Sequence, residues 1–89
     1  HIQTLPFSED EKKVLQWFCD SSENVTEWSR ESVGKLIENA AAALNLGKGK
    51  LFKPLRLATS GMKSGPNLID YCYIIGQSKF QSRIKSVLS

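Results

Sequence analysis

Between Lys48 and Gly76 the sequence gathers side chains suited to holding a polyanion that carries unpaired bases. Lys48, Lys50, Lys53 and Lys63 offer ammonium groups for phosphates. Arg56 adds a planar fork that can bond a base edge or a phosphate. Gly65-Pro66 is a rigid break that presents backbone groups and an apolar shelf. Unpaired bases are read by stacking and by hydrogen bonds to their edges, while basic groups fix the backbone. Each residue also has a plainer reading. Arg56 could pair with Asp70 or cap a carbonyl, and Pro66 could simply start a helix. Tyr71 and Tyr73 read as core and boundary residues before base platforms. Lys79 and Arg83 form a face that is ordinarily solvated, although in this charge context it can steer RNA.

Catalytic chemistry has no comparable support. The lone histidine, His1, is terminal, so nothing is placed to act as base for a Ser or Cys nucleophile. Gly47-Lys48-Gly49-Lys50 lacks the spacing and the following Ser or Thr of a phosphate-cradling loop. Cys19 and Cys72 each sit in an apolar pattern, which suits buried reduced thiols; a zinc site would need four ligands at short spacing. The expectation is therefore no catalytic residue, no metal and no cofactor within this chain, and a cytoplasmic protein.

The elements that must position these groups are helical. Ser8 and Glu11 form a capping box, so a first helix starts near Glu9 with Val14, Leu15 and Phe18 inward, and the polar run Asp20 to Asn24 ends it. Ser29 is a fitting N-cap for a second helix. In that helix Val33, Leu36, Ile37, Ala40 and Leu44 fall on one face of a 3.6-residue period. Gly47 and Gly49 punctuate a basic turn before a third segment, Lys50 to Ser60, in which Pro54 marks the first turn or a kink, with Gly61 as C-cap. Pro66 takes the first position of a fourth helix that ends at Gly76. Ser78 caps a fifth helix that turns Phe80, Ile84, Val87 and Leu88 inward. Trp17 and Trp28 read as packing residues. These patterns predict an all-α, compact bundle of about five helices.

The 89 residues fit one small domain or part of a larger protein, here a single unit over 1–89. No apolar run approaches the roughly 20 residues that a membrane span needs, and no basic-then-apolar leader opens the chain. The net charge of +3 conceals an asymmetry. Residues 1–45 carry eight carboxylates against four bases, net −4, whereas 46–89 carry eight bases against Asp70, net +7. A basic half of this kind suits a polyanionic partner.

The run Lys48-Gly49-Lys50-Leu51-Phe52-Lys53-Pro54-Leu55-Arg56-Leu57-Ala58-Thr59-Ser60-Gly61 resembles the segment near the end of bacterial-type glutamyl-tRNA synthetases. There a basic Gly-containing turn leads into Pro-Leu-Arg, a small or apolar pair and a Gly. Ser64-Gly65-Pro66-Asn67-Leu68 and Ile74-Ile75-Gly76 match the same family's Gly-Pro helix start and helix end, and Arg83-Ile84 fits its closing helix. Glu27-Trp28, just before a helix, also looks like the family. The close match runs from Lys48 to Leu88, and the upstream half is similar in pattern only. Thr59-Ser60 departs from the family's frequent Leu-Thr, which leaves the exit of the third helix open.

The resemblance implies the C-terminal subdomain of the helical cage with which a class I aminoacyl-tRNA synthetase grips an anticodon loop. Arg56 is then expected to contact an anticodon base. Gly65, Pro66 and Leu68 line the pocket for the third. Lys48, Lys50, Lys53 and Lys63 are assigned to phosphates from charge and spacing. The whole enzyme would ligate glutamate to tRNA(Glu) with ATP and Mg2+, on a catalytic domain of the same chain whose signatures are absent here. A monomer is expected. The alternative is a free-standing helical domain that binds a protein through an apolar groove.

Overall fold

The periodic apolar positions become helices. The computed structural model of the chain describes residues 7–61 and 67–88. Among them there are five helices and no strand: α1 (Glu9–Ser22), α2 (Arg30–Leu44), α3 (Lys48–Thr59), α4 (Leu68–Ile75) and α5 (Gln77–Leu88). The all-α bundle expected from the sequence is the fold observed.

Helix starts follow the local chemistry. Ser8 Oγ accepts from the Glu11 amide at 3.2 Å, and the Glu11 carboxylate accepts from the Ser8 amide at 3.0 Å. Two amide donors that the helix cannot pair internally are thereby satisfied. Ser29 and Ser32 form the same reciprocal arrangement at the head of α2. Asn45 ends α2 in the left-handed region, at φ 56°.

One core joins all five elements. It contains Val14, Leu15 and Phe18 of α1, Val33, Leu36, Ile37 and Ala40 of α2, Leu51 and Leu55 of α3, Leu68 and Cys72 of α4, and Phe80 and Ile84 of α5. Phe80 is the hub. It meets Phe18 edge-on at 6.3 Å and Trp28 at 5.2 Å. The Trp28 indole N–H donates to the Cys72 carbonyl at 3.1 Å, which ties the entry of α2 to α4. Both tryptophans pack against the core, as their place in the acidic half suggested.

Three helix starts differ from the sequence expectation, and α3 ends at Thr59 with Ser60, not Gly61, as its C-cap. The third helix starts at Lys48 on an N-cap Gly47 instead of at Lys50, so Gly49 is helical. A tight Lys50 amide to Gly47 carbonyl bond of 3.1 Å begins it. Pro54 is inside this helix and fully buried beside Leu51 and Leu55. Burying the ring offsets the backbone hydrogen bond that an imide nitrogen cannot make. The fourth helix starts at Leu68, because the Asn67 side chain caps the Asp70 amide at 3.2 Å; Pro66 precedes that cap and lies outside the described residues. The fifth helix starts at Gln77 rather than after Ser78. The Gly76 carbonyl accepts from the Phe80 amide at 3.0 Å, and Gly76, at φ 89°, turns α4 directly into α5.

Candidate functional site

The expected contact residues separate into two places along α3. Lys48, Lys50 and Lys53 are exposed on its first turns. That helix start has no side-chain cap and no acidic residue in its first turn. Unpaired amides, the positive end of the helix dipole and nearby ammonium groups repel one another, and an anion relieves the repulsion. Lys50 and Lys53, with Gly49, line a cleft of about 690 Å3. Its opposite wall is Ser8, Asp10, Glu11 and Lys13 of the α1 start, and Val14, Leu44 and Leu46 supply apolar lining. The basic and acidic halves of the sequence therefore meet across this cleft, so the lysines share their field with two carboxylates.

Arg56 lies further along α3 and is half-buried. Its positive charge exerts a small downward pull on the Cys72 thiol of α4. Asp70, considered as its partner from sequence, instead bonds the Arg30 guanidinium at 2.7 Å. Arg30 also stacks 4.7 Å over the Tyr73 ring. Next to it, Ile74 is 71% exposed.

Leu68 has a different character from the one expected. The residue is 2% exposed and belongs to the core, so it acts on any ligand through the direction it gives α4. Gly65, Pro66 and Lys63 lie outside the described residues.

Burial decides the thiols. Both cysteines are free and buried. Loss of solvent pushes the Cys72 thiol up to about 12, against a smaller downward pull from the Thr59 hydroxyl and the Arg56 charge. Burial also raises Cys19 above its ordinary value. Neither is a nucleophile at neutral pH. Among the described residues no three His, Cys, Asp or Glu side chains are grouped to hold a metal, and no helix is long and apolar enough to cross a membrane.

The structure gives Arg83 a role other than the solvated face read from sequence, and it brings in two glutamines that the sequence reading did not single out. Arg83 is half-buried, with its Nη1 donating to the Thr59 carbonyl at 2.6 Å and to the Tyr71 hydroxyl at 2.7 Å. Gln77 Nε2 donates to the Ser22 and Val25 carbonyls at 2.7 and 2.9 Å, and Gln81 Nε2 to Ser22 Oγ at 3.1 Å. The i, i+4 spacing of Gln77 and Gln81 was the available signal, since it sets both amides on one side of α5.

Comparison with known proteins supplies what the geometry alone leaves open. The family described as "Anticodon binding domain" matches residues 4–88. The chain is similar to glutamate–tRNA ligase of Xanthomonas oryzae pv. oryzae (strain PXO99A), 38% identical over 65 residues, which is 73% of this chain and 14% of that protein. It is also similar to the glutamate–tRNA ligase of Xanthomonas axonopodis pv. citri (strain 306), 41% identical over 64 residues, or 72% of this chain and 14% of that protein. The chain thus spans 14% of the length of these curated relatives.

Proposed function

The chain belongs to the anticodon binding domain family, and on that premise we propose that it reads the anticodon loop of tRNA(Glu) as one part of a longer glutamate–tRNA ligase. The observation that carries this reading is the family match over 4–88, joined to the relatives' shared name. The uncapped, lysine-bearing start of α3 supports it, because that surface suits a phosphate backbone.

The roles divide by position. Lys48, Lys50, Lys53 and Lys63 hold phosphates. Arg56 bonds an anticodon base, and Gly65, Pro66 and Leu68 shape the neighbouring base pocket. Phosphate contacts supply affinity, and base contacts supply the choice of sequence. Glutamate activation with ATP and Mg2+ belongs to a catalytic domain elsewhere in that longer, monomeric, cytoplasmic enzyme.

The direct test is titration of the chain with a tRNA(Glu) anticodon stem-loop, followed by NMR at low and moderate salt. Shifts at Lys50, Lys53, Arg56 and Leu68 that fade with salt are expected. Arg56→Ala should weaken binding by about 1–3 kcal/mol and relax base preference. If Arg56→Ala and Lys53→Ala both fold and bind as the parent does, this assignment of roles fails. A protein-binding role finds some support in exposed Tyr73 and Ile74 beside Arg30. It predicts shifts centred on α4 with a protein ligand and little dependence on salt.

A further inference from the structure

The geometry points to Arg83 as a positioning residue for the RNA-reading face: its guanidinium, from α5, locks the end of α3 to α4 and is not itself a phosphate contact. This rests on the RNA reading above.

Three elements meet at one carbonyl. Thr59 is the last residue of α3, so its carbonyl has no partner within the helix. Arg83 Nη1 donates to it at 2.6 Å, and the Tyr71 hydroxyl of α4 donates to it at 3.4 Å. Arg83 Nη1 also donates to the Tyr71 oxygen at 2.7 Å, which closes the triangle. Thr59 is itself anchored, 3% exposed, with its hydroxyl on the Leu55 carbonyl at 2.7 Å.

The electrostatics favour the same arrangement. A helix end carries partial negative charge, and a cation there is favourable. The last turn of α3 has Arg56 as its one base, and α5 supplies another across the fold. Hydrogen bonds from a charged donor are short and strong, as the two distances indicate. The tie falls one turn beyond Arg56, so it sets where that side chain stands relative to the start of α4. Two donated bonds and half-burial hold the guanidinium inward, unlike the exposed lysines of α3.

A direct phosphate contact and a positioning tie differ in salt dependence. Losing a phosphate contact lowers the slope of log K against log salt by roughly 0.7–0.9. Losing a tie leaves the slope unchanged and blurs discrimination between bases. The experiment measures binding of the chain, Arg83→Ala and Tyr71→Phe to the tRNA(Glu) anticodon stem-loop and to loops with each anticodon base replaced, over a range of salt. Circular dichroism confirms folding. Arg83→Ala should reduce base discrimination roughly threefold to tenfold at constant slope. Tyr71→Phe, which keeps the ring and removes only the hydroxyl, should act in the same direction, and it carries the test if Arg83→Ala does not fold. A lowered slope with base preference intact in Arg83→Ala would overturn the proposal, as would unchanged discrimination in Tyr71→Phe. Failure of the unaltered chain to bind any loop at low salt removes the RNA reading and this role together.

Discussion

At the scale of single residues, burial separates what reacts from what contacts. Cys72 has its thiol raised to about 12, while in an unfolded chain it ionises near its ordinary value of 9.0. Below pH 9 both states keep the proton and the residue adds no pH dependence. As pH rises from about 9 toward 12 only the unfolded chain loses it, so stability should fall by up to about 1.4 kcal/mol per pH unit. Urea unfolding at pH 8, 9 and 10 should show a steeper loss in the parent than in Cys72→Ala, and equal slopes would contradict the burial argument. The cysteines' inert character was legible from their apolar surroundings in the sequence. The partner of Asp70 was not, because Arg30 and Arg56 are equally plausible until α2, α3 and α4 are packed, and packing selected Arg30.

Elements were read best where a local rule acts. Ser8, Glu11 and Ser29 cap as expected because capping involves residues three apart. Ser8→Ala should cost roughly 1 kcal/mol, measured by thermal or urea unfolding. The start of α3 escaped because Gly47 and Gly49 signal a turn locally, whereas burial of Leu51, Pro54 and Leu55 draws the helix back to Lys48. Asn67 hid the start of α4 for a similar reason, since Gly65-Pro66 dominates the local signal. Gly34 gives a complementary test. A Cβ there would stand 3.8 Å from Ile69 Cδ1, an ordinary contact. Gly34→Ala should therefore stabilise the fold by about 0.5–1 kcal/mol. A lower melting temperature would show that α2 and α4 need the closer approach.

For the molecule as a whole, the charge asymmetry was plain in the sequence, but its spatial arrangement was not. Asp10 and Glu11 stand across a cleft from Lys50 and Lys53, a pairing that charge counts over separate halves do not reveal. Asp10→Asn should therefore strengthen stem-loop binding at low salt, with the gain shrinking as salt screens the site, as isothermal titration would report. No change at any salt would mean that the RNA stays clear of this cleft. The arrangement of helices also has a temporal side. Phe80, Gln77 and Gln81 of α5 seal Phe18 and Ser22 at the far end of the sequence order. Of the five helices α1 leaves the ribosome before the rest, and the part of its apolar face that α2 and α3 do not cover stays open until α5 follows. The core around Phe18 can therefore close only once Phe80 is available, so the last helix made is the one that completes the first.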